Sequence, residues 1–227
     1  DWKAYLALVS ASGREVQRIT FEPCKGWSTS DWGRDAVARG KGTLRANPFI
    51  KGGSYQVALG LVDPVTGAQA GERLLVDHVQ VQATERVFER PAVETESEAV
   101  FGASLRLLGY DVQQIGDQLI VTLHWQSLQR MDVEYKFFVH LYDPANDELI
   151  AQADVMPRNW MYPTTWWEAG EVVSDEIRVP LAEVPNGTYR LGVGIYDPKT
   201  LERLQIRDNG ASDDSSTILT LQEVSIR

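Results

Sequence analysis

One pattern occurs twice in this chain and limits what the chain can fold into. Residues 187–200 read GTYRLGVGIYDPKT and residues 53–66 read GSYQVALGLVDPVT, at an offset of 134 positions. In both copies, Gly-x-Tyr opens a run of alternating apolar residues that ends in an Asp-Pro-x-Thr turn. Alternation with period two is typical of a strand with one buried face, and Asp-Pro initiates turns. The chain is therefore predicted to contain two copies of one β-rich unit.

The similarity between the copies extends beyond this motif. Two residues of an irregular segment recur at the same offset, Pro23 with Pro157 and Trp32 with Trp166. A shift of one residue also aligns an earlier strand, pairing Trp2, Tyr5 and Leu8 with Tyr135, Phe138 and Leu141. Short strands with turn signals every ~8–12 residues, and almost no helical periodicity, indicate β-sandwiches. We predict an all-β fold of tandem immunoglobulin-like β-sandwiches, since a duplication of this size is a repeated domain.

The two copies differ in completeness. Residues 101–134 supply two strands that have no counterpart in the first copy, so we predict that the first sandwich is truncated at its N-terminus. It is expected to have an open edge, or to receive strands from a partner or from upstream sequence. The chain begins inside a strand pattern, which predicts a fragment of a longer polypeptide. A short strand is predicted at 41–46. The charged, proline-containing segment 83–98 is predicted to link an incomplete repeat, 1–82, to a complete repeat, 99–227.

Composition excludes several classes of partner. The formal net charge is −10, with 10 basic and 9 acidic residues in 1–85 but 12 basic and 23 acidic in 86–227. Such a balance argues against nucleic acid as a partner. The only cysteine is Cys24, so neither an intrachain disulfide nor a cysteine-based metal site is expected. No apolar run approaches the ~18–20 residues of a membrane helix, so direct membrane insertion is not expected.

No motif of catalysis or nucleotide binding is present. The chain has three histidines, and His124 and His140 are expected on neighbouring strands, where two histidines without a third ligand make a poor metal site. The acidic loop 208–216 has the oxygen density of a calcium site but not the spacing of an EF-hand, which favours a solvated loop. We expect no metal and no cofactor.

Carboxylates beside an aromatic loop leave a glycosidase-type enzyme as the least favoured alternative. The candidates are Glu168, Glu171, Asp175 and Glu176. Glycoside hydrolysis needs two carboxylates at a fixed separation. Abundant surface carboxylates need no special cause in an acidic protein, so no catalytic residue is predicted.

The aromatic loop itself, residues 157–170, reads PRNWMYPTTWWEAG. Its four aromatic residues, Trp160, Tyr162, Trp166 and Trp167, are the candidate ligand-binding residues. Exposed rings beside carboxylates and amides suit sugar recognition, because a ring face meets the apolar face of a pyranose while polar neighbours bond the hydroxyls.

The alternative interpretation is that these rings close the end of the sandwich. It is favoured for Trp166, because Trp32 matches it in the first copy. Trp160 and Trp167 match glycines of the first copy, so the fold is not expected to require their bulk.

The repeated strand motif is predicted to serve folding. Tyr55 and Tyr189 follow a glycine at a strand start, where a tyrosine hydroxyl can bond a neighbouring loop as a tyrosine corner does. Asp63 and Asp197 are predicted to bond the backbone of their own turns.

Three phrases carry a resemblance to a known family: FFVHLYD at 137–143, YPTTWWEAGEVVSDEIRVPL at 162–181 and NGTYRLGVGIYDPKTLERL at 186–204. The chain resembles extracytoplasmic β-sandwich modules of large membrane proteins of filamentous phototrophic (Chloroflexus-like) bacteria, modules often appended to glycosyltransferase-like regions. The resemblance covers 100–227 well and 1–82 weakly. It implies an exported, non-catalytic domain that is part of a larger membrane protein, with no site residues to carry over.

The favoured expectation is a non-catalytic extracytoplasmic binding or accessory module that recognises a glycan or another cell-envelope ligand through the aromatic loop. The alternative is a structural spacer that contacts protein through the open edge of the first repeat. Rings of Trp160 or Trp167 exposed to solvent would favour glycan recognition, and rings packed inward would favour the spacer.

Overall fold

The computed structural model describes residues 1–207 and 216–227. The chain is all-β and divides into two compact units, unit 1 (Asp1–Glu85) and unit 2 (Arg86–Arg227). The strands of unit 1 are β1 (Lys3–Val9), β2 (Glu15–Phe21), β3 (Gly53–Val62) and β4 (Leu74–Val81), with a 3-10 turn at Thr29–Asp31.

Unit 2 has ten strands among its described residues. They are β5 (Thr95–Glu96), β6 (Val100–Phe101), β7 (Leu105–Ile115), β8 (Gln118–Ser127), β9 (Lys136–Tyr142), β10 (Leu149–Val155), β11 (Val172–Pro180), β12 (Gly187–Tyr196), β13 (Ile206–Arg207) and β14 (Leu219–Ile226). A short helical turn, α1 (Pro157–Trp160), and a 3-10 turn, Thr164–Trp166, lie in the aromatic loop. No helix in the described part of the chain is long and apolar enough to cross a membrane.

The duplication is visible in the sheets. Unit 1 forms an antiparallel sheet of order β2-β1-β3-β4, and unit 2 contains an antiparallel sheet of order β10-β9-β12-β14. The strand register is also kept: Leu6 pairs with Leu59 as Val139 pairs with Val193. The repeated motif thus occupies the same position in both sheets, and its alternating pattern specifies the face that each of its residues occupies.

Unit 2 adds a second antiparallel sheet of order β11-β8-β7-β6-β13, in which β5 also pairs with β7. Its apolar side chains and those of the first sheet share one core, so unit 2 is a sandwich. Rings of Trp125, Phe137 and Trp167 follow one another through this core, with centroids 5.0 and 6.0 Å apart. The described residues of unit 1 form one sheet and contain no counterpart of the second sheet.

The missing sheet explains one wrong prediction. Residues 41–46, predicted to be a short strand, are not a strand in the structure. They correspond to β11, which is hydrogen-bonded along its length to β8. Because unit 1 contains no strand equivalent to β8, the apolar pattern of 41–46 is present but its ladder partner is absent.

The predicted linker also requires correction. Residues 86–98 of the proposed 83–98 segment belong to unit 2. Val87 forms a β-bridge with Val172, and Thr95–Glu96 pairs with Tyr110 and Gly109 of β7. Charge and a proline are typical of linkers, yet here they occur in an edge segment whose backbone is hydrogen-bonded.

The local chemistry of the repeated motif is confirmed. The Tyr55 hydroxyl donates to the Lys51 carbonyl at 2.8 Å, and the Tyr189 hydroxyl donates to the Pro185 carbonyl at 2.8 Å. In the turns, Asp63 Oδ1 accepts the N–H of Val65 at 2.8 Å and Asp197 Oδ1 accepts the N–H of Lys199 at 2.8 Å. These contacts fix strand starts and turns, as the prediction for folding required.

Candidate functional site

The aromatic loop does not present its four rings together to solvent. Trp160 is 40% exposed, whereas Tyr162 and Trp167 are 4% and 0% exposed, and Trp166 is partly buried against the core. Two of the four candidate ligand-binding residues, Tyr162 and Trp167, therefore cannot offer a ring face to a ligand in this structure. Trp160 is the single loop ring of the four that solvent reaches extensively.

Trp167 fills space that exists only in a complete sandwich. Its ring packs edge-on against Phe137 at 6.0 Å and stacks on Tyr162 at 6.4 Å, and its indole N–H donates to the Tyr162 carbonyl at 3.1 Å. The expectation that its bulk is not required by the fold was wrong for this reason. The matching Gly33 lies in a unit without the second sheet, so no such space needs filling there.

A buried charged network holds the rest of the loop. Arg86 contacts the Glu171 carboxylate, which is 2% exposed, and also donates to the Trp166 carbonyl at 3.0 Å. The other Glu171 oxygen accepts the Tyr162 hydroxyl at 2.7 Å. Burial and this hydrogen bond raise the pKa of Tyr162, so its phenol stays protonated as a donor. Sequence reasoning missed Arg86 because it placed that residue in the linker.

The exposed Trp160 ring belongs to a turn whose backbone is left-handed. Arg158, Asn159 and Trp160 have φ values of 51°, 50° and 70°. A left-handed backbone conformation raises the free energy by roughly 1–2 kcal/mol for each residue other than glycine, so contacts with the surrounding structure must stabilise this turn. The Arg158 N–H donates to Asp175 Oδ1 at 2.6 Å, and the Trp160 N–H donates to the Met156 carbonyl at 3.1 Å.

Asp175 supports this turn from the buried side of β11. It is 1% exposed, and its Oδ2 has no hydrogen-bond partner in the described part of the chain. Burial raises its pKa to about 6, although the Arg158 N–H opposes the shift. A cleft of about 520 Å³ borders the same turn and is lined by Val155, Arg158, Asn159 and residues 174–178.

The raised pKa of Asp175 predicts a pH-dependent stability of unit 2. A carboxyl whose pKa is higher in the folded than in the unfolded chain stabilises the fold below its unfolded value, 3.8, and this stabilisation is lost as pH rises through about 6. Asp175→Asn keeps an oxygen acceptor for Arg158 without a charge. We expect it to raise the free energy of unfolding at pH 7.5 by on the order of 1–3 kcal/mol and to change it little at pH 4.

Urea unfolding of both proteins between pH 4 and 7.5 measures this difference. Glu176→Gln, at the exposed neighbour of Asp175, is the matched control and should change the pH profile little. If Asp175→Asn changed the free energy of unfolding equally at pH 4 and pH 7.5, the raised pKa of Asp175 would be contradicted.

Two of the four candidate carboxylates, Glu171 and Asp175, are buried. Glu171 is held by Arg86 and Tyr162, and Glu168 Oε1 lies 3.4 Å from Arg130. Asp175 and Glu176 are consecutive on β11, where successive side chains point to opposite faces. One is buried and the other exposed, as this alternation requires.

The described residues contain no cluster of three or more histidine, cysteine, aspartate or glutamate side chains that could hold a metal ion. His124 and His140 lie on β8 and β9, in different sheets, so the expectation that their strands are neighbours was wrong. His124 instead contacts Asp111 at 2.9 Å, and His140 contacts the Tyr142 hydroxyl at 2.8 Å. The loop 208–216 lies, except for its last residue, outside the described residues.

A second candidate site is a face of the unit 1 sheet. We call it the uncovered face and define it by Leu6, Leu8, Val57, Leu59 and Leu61. All except Leu8 are partly exposed. In unit 2 the residues at the five corresponding positions are fully buried, each at 0% exposure: Val139, Leu141, Leu191, Val193 and Ile195.

Two clefts lie on the uncovered face. One, of about 490 Å³, is lined by Leu6, Leu8 and Val57 together with Leu44 and Ala46 of the irregular segment. The other, of about 470 Å³, is lined by Leu59 and Leu61 and by residues that include Trp32. The gap in the repeat alignment was the sequence signal for this surface, although it did not identify the residues that line it.

The comparisons with known proteins add no family: no family model matches the chain, and no curated protein matches it.

Proposed function

We propose that this chain is a non-catalytic interaction module built from two immunoglobulin-like units, of which unit 2 is complete and unit 1 binds a partner protein through the uncovered face. One observation carries this proposal. Leu6 and Leu59 form a cross-strand pair that is partly exposed, whereas the equivalent pair in unit 2, Val139 and Val193, is fully buried beneath a second sheet. Apolar clefts such as the two on this face are candidate interaction sites.

Photo-crosslinking in the native host tests the proposal. A benzophenone amino acid at Leu59 should yield an adduct with one defined protein, and Leu6→Asp should abolish that adduct. The same amino acid at Val65, which is 90% exposed in a turn, is the control and should not give it. Identical adducts from the two positions, or none at Leu59, would overturn the proposal.

Glycan recognition at Trp160 is the second candidate, supported by the exposed ring on a strained turn beside a cleft. It is the weaker of the two because Tyr162 and Trp167 are buried, and because Lys136 Nζ already lies 4.7 Å from the Trp160 ring centroid. Binding on a glycan array that Trp160→Ala removes would support this candidate.

An extracytoplasmic location, within a larger membrane protein, is proposed on the family resemblance alone. Protease accessibility of the tagged protein in spheroplasts of the native host, compared with lysed cells, tests the location.

A further inference from the structure

We propose that Ser174 is an activated nucleophile that takes an acyl group from an ester, with His124 as its general base and Asp111 as the positioning residue of that base. The inference goes beyond the proposed function, because it concerns unit 2 and does not involve the uncovered face. Three features of the described residues support it: a continuous chain of hydrogen bonds, a shielded base beside an exposed hydroxyl, and a neighbouring cleft.

The three side chains lie on adjacent strands of one antiparallel sheet. Ser174 of β11 is paired directly with His124 of β8, and Asp111 of β7 lies diagonally from His124 because its own partner is Thr122. His124 Nδ1 is 2.8 Å from the Ser174 hydroxyl oxygen, and His124 Nε2 is 2.9 Å from Asp111 Oδ2. These distances are in the range that links a nucleophile, its base and the group that orients the base.

A glycine on β7 gives the imidazole room to reach Asp111. Gly109 is the residue directly opposite His124. A Cβ atom at Gly109 would lie 2.6 Å from the Thr95 carbonyl oxygen and 2.6 Å from the Val93 side chain, so no larger residue fits there. The imidazole therefore meets no side chain at the directly opposite position, and the diagonal residue Asp111 is within its reach.

The charge of Asp111 determines which ring nitrogen is the base. Burial raises the pKa of Asp111, but hydrogen bonds with His124 and with the Glu94 N–H outweigh burial, so the pKa lies below its usual value. An ionised carboxylate only accepts hydrogen bonds, so His124 Nε2 carries the proton that points to Asp111. In the neutral ring, Nδ1 is then the acceptor of the Ser174 hydroxyl proton, as a general base requires.

Solvent reaches the nucleophile far more than the base. His124 is 6% exposed, whereas Ser174 is exposed. A reagent can therefore approach the hydroxyl while the imidazole is shielded from competing water. Ser174 also lines the cleft of about 520 Å³ beside the aromatic loop, with Asn159 among its other residues. A cleft of this size can hold a small acyl group.

The reaction needs an ester and no further reagent. Ser174 Oγ attacks the carbonyl carbon of the ester while His124 Nδ1 takes the hydroxyl proton. The tetrahedral intermediate then collapses, the bond between the carbonyl carbon and the leaving oxygen breaks, and the leaving alcohol or phenol takes the proton from His124. Ser174 remains as the new ester. A single transfer of this kind modifies the chain and requires no turnover.

Acetylation of the full chain by p-nitrophenyl acetate tests this reactivity. Mass spectrometry of proteolytic fragments measures the rate at Ser174 and, in the same sample, at Ser225, an exposed serine of β14 that serves as the internal control. We expect acetylation of Ser174 to be about 100-fold faster or more, the usual contribution of a general base. His124→Gln should lower the rate at Ser174 to that at Ser225.

Asp111→Asn tests the positioning role with little change in shape. The Glu94 N–H donates to Asp111 Oδ1 at 2.6 Å, so an asparagine keeps its oxygen on that side and turns its amide nitrogen to His124. That amide donates to Nε2 and moves the ring proton to Nδ1, which removes the base. Imidazole nitrogen chemical shifts should report the moved proton, and acetylation of Ser174 should slow by about 100-fold or more.

Two outcomes would overturn the inference. Equal acetylation rates at Ser174 and Ser225 in the unsubstituted protein would show that the chain of hydrogen bonds serves the fold only. An unchanged rate at Ser174 in Asp111→Asn, after the ring proton has moved, would exclude His124 as the base. Neither outcome bears on crosslinking at Leu59, which tests the proposed function separately.

Discussion

Replacing Trp167 by alanine is expected to lower the free energy of unfolding of unit 2 by about 3–5 kcal/mol. The side chain is fully buried, it contacts Phe137 and Tyr162, and its removal leaves a cavity between the two sheets. Hydrogen exchange of β8 and β9 amides in increasing urea reports the stability of unit 2 without contribution from unit 1.

Trp160→Ala is the matched control for this change. It removes the same side chain from the same loop, but at 40% exposure, and it should cost no more than about 1 kcal/mol. Equal losses of unfolding free energy in the two variants would contradict the assignment of Trp167 to the core and of Trp160 to the surface. A loss of glycan binding in Trp167→Ala would be attributed to unfolding unless Trp160→Ala also lost it.

Arg86→Met is expected to destabilise unit 2 by about 3–5 kcal/mol, because it leaves the Glu171 carboxylate buried and without its cation. It also removes the donor to the Trp166 carbonyl, so the aromatic loop should exchange its amides faster. The double change Arg86→Met with Glu171→Met should recover a large part of the loss, since apolar residues of similar size often replace a buried ion pair without cost.

Arg90→Ala, which removes an exposed ion pair, is the control for the buried Arg86–Glu171 pair. Its pair with Glu98 is solvent-exposed, with side-chain exposures of 42% and 39%, and exposed pairs contribute about 0–1 kcal/mol. Urea unfolding of the four proteins measures the differences. If Arg86→Met cost no more than Arg90→Ala, burial of the Arg86–Glu171 pair would not be a source of stability.

Much of the fold could be predicted from local patterns. The alternation in residues 53–66 and 187–200 specifies which side chains share a face, and a one-residue slip would turn the apolar set to solvent. The structure shows the same pairing register of this motif in both units. Tyr55, Tyr189 and the turn aspartates behaved as predicted because each bonds a backbone group within four residues along the chain.

The candidate site could be predicted only in part. Trp160 and Trp167 are seven positions apart in one loop, and both match glycines in the first copy. Nothing local distinguishes them, since burial depends on the Phe137 ring that Trp167 meets across the sandwich. The glycine match was misleading because unit 1 lacks the second sheet and therefore lacks the space.

Sequence by itself predicted that the chain is all-β and that one β-rich unit is present twice, with the first copy less complete than the second. Tertiary structure decided which loop rings are buried, whether 41–46 becomes a strand, and that residues 86–98 belong to unit 2. The physical reason is the range of the interactions. Turns and alternation act over a few residues, whereas a ladder partner or a filled cavity depends on residues distant in the chain, and unit 1 contains no strand that pairs with 41–46.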